Sequence, residues 1–182
     1  MLYEDFNKKI KFELQYELKI KNILAVPKPI VGYVNIGIGK LITQNPENKE
    51  KIIEEASYVL SRITGQKPKV VKARKSISGF KLRQGMPVAV LVTLRKKRLF
   101  DFLDRLIIYY LPRNRDFKGI QKNNLDINGY LNLGFRDTSI FPEAFSDKVK
   151  HQFGLQVTIV TNSKNKDNNI LLWKKLGFPI KI

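Results

Sequence analysis

The chain has 182 residues, and 34 Lys and Arg against 16 Asp and Glu give a formal charge of +18, a self-repelling imbalance that points to a polyanionic partner. The absence of Cys excludes disulfides, thiolate chemistry and Cys-ligated zinc, and the single histidine, His151, cannot build a His-rich metal site. No apolar run approaches the roughly 20 residues that span a bilayer, and Met1 to Ile10 holds Glu4 and Asp5 without an apolar stretch, so no secretory signal is expected.

From the N-terminus, Leu2, Phe6, Ile10, Leu14 and Leu18 recur every four residues, as on a helix. Ile10, Phe12, Leu14, Tyr16, Leu18 and Ile20 also alternate as on a strand; the length favours a helix that ends near Tyr16. A strand is expected over Ile30–Ile38 from its β-branched, alternating content. Asn45-Pro46-Glu47 then reads as a helix start, with Asn as cap, Pro at the first position and acid in the first turn. Ile52, Ile53, Ala56, Val59, Leu60 and Ile63 form the apolar face of that helix, and Gly65 ends it. Strands follow at Lys69–Ala73 and Val88–Leu94. The next helix spans about Lys97 to Leu111, with Leu99, Phe100, Leu103, Leu106, Ile107 and Tyr110 as its buried stripe and Pro112 as its stop. Strands at Tyr130–Phe135 and Gln156–Thr161 and a helix from about Asn168 to Leu176, closed by Gly177, complete the chain. The apolar fraction of 43% is ordinary for a packed core. The pattern predicts one α+β domain over residues 1–182, with a mainly antiparallel sheet, helices packed on one face and a protruding basic loop.

From Ala56 to Phe100 there is no Asp or Glu. Twelve cations fall in that stretch, beginning at Arg62 and ending at Arg98. A charge run is ordinarily a solvated face, but solvated faces intersperse both signs; a run without acids is the footprint of a polyanion site. Within it, Arg74-Lys75-Ser76-Ile77-Ser78-Gly79 reads as a mobile basic loop between two strands, suited to phosphate oxygens. Phe80 beside it can stack on an unpaired base or lie in the core; the residue type supports both.

Little in the sequence serves catalysis. Asp101 and Asp104 sit on one helix face among Lys and Arg and read as ion-paired surface groups. His151 has no nucleophile signature near it and reads as a surface or structural residue. Gly37-Ile38-Gly39-Lys40 fails as a phosphate loop, because Leu41 stands where Ser or Thr is required. With the clear helix starting only near Pro46, a helix N-terminal phosphate site is not expected there, and the Gly pair reads as a turn or a close backbone approach. A membrane-binding amphipathic helix is not expected either, since Lys97 to Leu111 holds its cations mostly in its first turn.

Several motifs in order resemble the large-subunit ribosomal L-five family. Val34-Asn35-Ile36-Gly37-Ile38-Gly39 resembles its Asn-x-Gly-x-Gly strand end, and Thr64-Gly65-Gln66-Lys67-Pro68 its Ser-Gly-Gln-Lys-Pro turn. Ala73-Arg74-Lys75-Ser76-Ile77-Ser78-Gly79-Phe80-Lys81-Leu82-Arg83-Gln84-Gly85 is similar to its basic loop. Val92-Thr93-Leu94-Arg95, Pro112-Arg113-Asn114-Arg115-Asp116-Phe117-Lys118-Gly119 and Ile140-Phe141-Pro142-Glu143 follow in the family's order. The likeness runs from about Pro27 to Pro179 and is weakest before Ala25. There are departures: Lys96-Lys97 stands where the family often has Gly-Glu, Asn114 replaces an apolar residue, and Asp126-Ile127-Asn128-Gly129 lacks the Gly-rich form of that turn. They suggest a divergent bacterial or organellar member.

The resemblance implies a protein of the ribosome's central protuberance, without cofactor or enzymatic activity, in bacterial cytoplasm or an organelle, a plastid rather than a mitochondrion. It implies that Asn35, Gly37, Gly39, Gln66, Lys67, Phe80, Thr93 and Arg95 contact 5S rRNA. It implies that Arg74, Lys75, Ser76, Ser78, Gly79, Lys81 and Arg83 form a loop reaching large-subunit rRNA and the peptidyl-site tRNA. Arg113, Arg115, Asp116 and Phe117 would meet a small-subunit head protein of the S-thirteen family, beside other central-protuberance proteins. The alternatives are a structured-RNA-binding module outside the ribosome and an enzyme acting on RNA.

Overall fold

A computed structural model describes residues 2–114, 117–146 and 149–181. It is an α+β structure built on a five-stranded antiparallel sheet. Five strands, β1 (Pro29–Gly37), β2 (Lys69–Lys72), β3 (Pro87–Arg95), β4 (Leu131–Phe135) and β5 (Leu155–Thr161), lie in the order β2-β3-β1-β5-β4. β2 pairs antiparallel with β3, with Lys69 opposite Leu91 and Val71 opposite Ala89. Each strand lies within a residue or two of its sequence expectation. Alternation explains the agreement: Val34 and Ile36 on β1, Val90, Val92 and Leu94 on β3, and Val157 and Ile159 on β5 are buried, while their neighbours in sequence face outward.

Packing divides the chain into two compact units, Met1–Gly32 with Leu94–Leu133 and Thr158–Ile182, and Tyr33–Thr93 with Gly134–Val157.

In the first unit, helix α1 consists of an α-helical turn (Leu2–Asp5), a π segment (Phe6–Ile10) and a further α-helical stretch (Lys11–Glu17). The N-terminal ambiguity therefore resolves to a helix, with Phe6, Ile10 and Leu14 buried. Helix α4 likewise joins Lys96–Arg105, a π segment Leu106–Tyr110 and a last turn Leu111–Arg113. Pro112 therefore does not stop the helix where expected. The π segment immediately before it widens the hydrogen-bonding register, where a regular α-helix would set the proline ring against the carbonyl four residues back. Phe102 is buried and Ile107 only half-buried, a correction to the expected stripe; Ile107 lies within the π segment, whose wider turn rotates its side chain about the helix axis, while Phe102 lies in the regular helix before it. Helix α5 (Lys166–Lys175) is capped by the Asn165 side chain, which accepts from the Asp167 and Asn168 N–H groups. On α5, the buried Asn169 donates to the Asn128 and Ser163 carbonyls at 2.7 and 2.9 Å and accepts from the Thr161 hydroxyl at 2.8 Å. Trp173 Nε1 donates to the Gly129 carbonyl at 3.0 Å. The turn at residues 126–129 is thus fixed by buried, fully paired polar groups.

In the second unit, a short helix α2 (Gly39–Gln44) follows β1 directly. The expectation that no helix begins before Pro46 is therefore corrected. Pro46–Asn48 forms a 3-10 turn in which Asn45 makes no side-chain cap, and helix α3 (Lys49–Thr64) follows. The α3 face lies as expected, with Ile52, Ala56, Val59, Leu60 and Ile63 buried and Ile53 half-buried. Gly65 closes it at φ +67, its N–H donating to the Ser61 carbonyl at 2.8 Å.

Candidate nucleic-acid interface

The second unit presents an open sheet face. Since Val34 and Ile36 on β1 and Val90 and Val92 on β3 point inward, Tyr33, Asn35 and Gly37 and, on the neighbouring strand, Leu91 and Thr93 point the other way. Asn35 and Thr93 are half-buried and Gly37 is exposed. Closure of α3 at Gly65 delivers Gln66 to this strand, and its Nε2 donates to the Thr93 carbonyl at 3.3 Å. The Thr64 hydroxyl donates to the Leu60 carbonyl at 2.7 Å and holds the turn from the helix side. Lys67 stands exposed beside it, and Ser57, Tyr58 and Ser61 of α3 line a shallow recess with Gln66 and Lys67. The structure therefore places Asn35, Gly37 and Thr93 on one face, with Gln66 bonded to the Thr93 carbonyl and Lys67 exposed next to Gln66 in the chain. Amides and a hydroxyl there can pair with 2′-hydroxyls or base edges, and an ammonium with phosphate.

Gly39 and Phe80 lie elsewhere. Gly39 opens α2, where a Cβ would make only ordinary contact with Val88, at 3.6 Å from its carbonyl oxygen, and around Gly37 a Cβ would meet nothing within 4 Å. Neither glycine is required for a close approach. Arg95, exposed at the end of β3, follows Thr93 by two residues and so shares its parity on the strand. Phe80 is 72% exposed, which removes the core alternative.

Phe80 ends a 3-10 turn, Ser78–Phe80, within the segment that links β2 to β3. This basic loop closes on itself: Ile77 and Leu82 exchange backbone bonds of 3.0 and 3.1 Å, and the Lys81 N–H donates to the Ser78 carbonyl at 2.9 Å. The Gln84 N–H donates to the Ser76 Oγ at 2.9 Å, so this hydroxyl shapes the loop. Lys81 at φ +53 and Gly85 at φ +83 take the positive angles of this segment, and Gly79 does not. Arg74, Lys75, Ser76, Ser78, Gly79, Lys81 and Arg83 are all exposed. So are all twelve cations of the acid-free stretch.

Of the expected intersubunit residues, Arg113 is exposed at the end of α4 and Phe117 is half-buried, its N–H donating to the Asn114 carbonyl at 3.1 Å. Arg115 and Asp116 lie outside the described residues. His151 is structural: its Nδ1 lies 2.8 Å from Glu55 Oε2, which also accepts from the Lys150 and His151 N–H groups at 3.2 and 3.3 Å. Burial pushes the Glu55 carboxyl up, but these bonds outweigh it and hold the group below its ordinary range. Among the described residues no group of three or more His, Asp or Glu side chains could hold a metal ion, and no helix is long and apolar enough to cross a membrane.

Sequence reasoning missed Tyr33, which shares the outward face with Asn35 and was recoverable from the alternation with Val34 and Ile36. It also missed Ser57, Tyr58 and Ser61, whose only signal was a polar helical face beside Gly65.

Residues 22–83 match the family model described as Ribosomal protein L5, and residues 87–180 match the model of that ribosomal family's C-terminus. The large ribosomal subunit protein uL5 of Fusobacterium nucleatum is 46% identical over 169 residues, covering 93% of this chain and 90% of its own. Those of Chloroflexus aurantiacus and Citrifermentans bemidjiense are 43% and 45% identical over 180 residues, covering 99% of this chain and 97% and 98% of theirs. Matches of this extent and identity settle the family: the chain belongs to the ribosomal protein L5 family, and it is a structural ribosomal protein, not an enzyme.

Proposed function

We infer that this protein is a constituent of the large ribosomal subunit that binds 5S rRNA, with the whole chain serving as one RNA-binding domain. The observation that carries the reading is the bond of Gln66 to the Thr93 carbonyl at a sheet face left open by packing, with Lys67 exposed next in sequence, within a stretch whose cations are all exposed. Asn35 on the same face, and Gln66 and Thr93, supply directional hydrogen bonding, while Lys67 supplies charge. The loop of Arg74, Lys75, Ser78, Lys81 and Arg83, with Phe80 exposed among them, is proposed to reach the peptidyl-site tRNA and adjoining large-subunit rRNA. Arg95 is proposed as a separate phosphate contact. The segment from Arg113 to Phe117 is proposed to touch a small-subunit head protein of the S-thirteen family. The bacterial relatives favour a bacterial ribosome, and an organellar one fits the same chemistry.

The test is binding to 5S rRNA, tRNA and an unrelated hairpin at low and near-physiological salt. A preference for 5S rRNA that survives the higher salt is expected, because hydrogen-bond readout does not depend on counterion release. Lys67→Ala should flatten the salt slope by about one unit, whereas Gln66→Ala and Thr93→Ala should weaken binding at nearly constant slope. Equal affinities that collapse together with salt would leave only nonspecific attraction and overturn the reading.

A further inference from the structure

The family model begins at residue 22, and ahead of it α1 carries a second surface of distinct chemistry. One side of α1 is committed to packing. Phe6, Ile10 and Leu14 are buried, and the Tyr3 and Phe6 rings meet Phe100 at centroid distances of 5.4 and 5.2 Å. One flank is committed to ion pairs: Lys175 of α5 bridges Glu13, at 3.3 Å, and Glu17, so both carboxylates have a cationic partner and the three groups together carry a single negative charge. The remaining side presents Phe12, 54% exposed, and Tyr16, 87% exposed. Spaced by four residues, their rings are neighbours on the helix surface. Lys8 and Lys9 are exposed one turn earlier, and Lys19 and Lys21 lie just past the helix end.

That end is held in place. Lys19 adopts φ +51, its N–H donates to the Tyr16 carbonyl at 3.2 Å, and the Ile20 N–H donates to the Gln15 carbonyl at 3.1 Å. These are the paired bonds of a Schellman closure. The Gln15 side chain adds a bond of 3.3 Å to the Lys21 carbonyl. The chain is thereby folded back so that Phe12, Tyr16, Lys19 and Lys21 line one shallow groove with Gln15, Ile20 and the Lys175-paired Glu17.

A membrane-surface helix buries a broad apolar face in lipid, and here the broad apolar face is already in the core. Two exposed rings among ammonium groups instead match a strand of unpaired bases, whose faces stack on aromatics while the phosphates meet lysines. We propose that this face of α1 binds an unpaired segment of RNA, stacking bases on Tyr16 and Phe12 while Lys8, Lys9, Lys19 and Lys21 neutralise its backbone. The site is separate from the sheet-face reading and does not depend on it.

The chain's only tryptophan, Trp173, is fully buried, so in a Tyr16→Trp variant a ligand-dependent change in emission reports position 16. The probes are a single-stranded oligo(A) twelve-mer, an RNA duplex of the same length and vesicles rich in phosphatidylserine. Oligo(A) is expected to quench the emission saturably and the duplex to do so weakly. Adding Phe12→Ala should shift the quenching midpoint by about fivefold or more, the scale of one stacked base, and Lys19→Gln should flatten its salt slope by about 0.7. Gln66→Ala in the same background should leave the quenching unchanged, which separates this site from the 5S reading. The proposal is overturned if the duplex quenches as strongly as the single strand. It is equally overturned if Phe12→Ala has no effect, or if vesicles alter the emission and oligo(A) does not.

Discussion

Lys96 shows how much a single backbone angle decides. β3 ends at Arg95 and α4 begins at Lys96, so no loop residue intervenes, and the chain turns on Lys96 at φ +52. A side chain in the left-handed region costs on the order of 1 kcal/mol, whereas glycine adopts that region freely. Lys96→Gly is therefore expected to raise unfolding stability by about 0.5–1 kcal/mol, part of the relief being offset by the greater freedom of glycine in the unfolded chain. Urea titration checks it: the midpoint should rise with an unchanged slope, and an unchanged or lower midpoint would show that the angle carries no strain. At this scale the sequence was legible where residue type and conformation agree, as at Gly65 and Gly177, both at positive φ. It was not legible at Lys19, Lys81 and Lys96, where nothing in a lysine announces a left-handed angle. Gly37 and Gly39 drew notice for a conformational freedom that neither uses.

Among the elements, those with a long uninterrupted period were readable. The strands and the α3 face lie where alternation and 3.6-residue spacing put them. Departures arose where a local irregularity shifts the period, as at Ile107 in the π segment of α4, or where an element is too short to show one, as in α2. Contacts distant in sequence were equally hidden, and the tie between Glu55 on α3 and the segment Lys150–His151 is the clearest case. Alanine keeps a helix interior intact, so Glu55→Ala should remove the tie without disturbing α3, at a cost of about 1–3 kcal/mol. The folded carboxyl titrates below its ordinary value of 4.5. Its contribution is therefore complete above that value and fades as pH falls through the folded pKa. The stability gap between the parent protein and the variant should be narrower at pH 3 than at pH 7; a gap independent of pH would show that the charge is immaterial. The basic loop calls for a different experiment. Its turns are bonded internally, yet residues 74–81 are exposed throughout. Backbone bonds without buried support open locally at low cost, so amide exchange across Arg74–Gly79 should be fast while Val90, Val92 and Leu94 are protected. Comparable protection in both segments would mean that the loop is rigid before it meets RNA.

For the whole molecule the governing quantity is charge. The acid-free stretch was legible because it is a property of composition. The meeting of Gln66 with Thr93 was not, because it depends on where α3 stops and how β2 registers on β3. A formal charge of +18 acts with opposite sign on the free protein and on its complex. Two exposed cations about 10 Å apart repel by about 0.4 kcal/mol in water, and at 0.15 M salt, with a Debye length of about 8 Å, only about a third of that survives. Folding brings the exposed cations of residues 56–100 closer than the unfolded chain holds them, so the repulsion opposes folding and salt relieves it. The free protein should therefore gain on the order of 1 kcal/mol between 20 and 300 mM potassium chloride, a rise in Tm of about 2–4 °C for a chain of this size. Bound to RNA, the same cations release counterions, and salt reverses that gain. In the complex, the stabilisation conferred by RNA should then shrink over the same salt range. Parallel thermal scans with and without 5S rRNA read both slopes at once. If salt left the Tm of the free protein flat or lowered it, the cations would be compensated within the fold, and the case that their charge is held in readiness for a polyanion would fail.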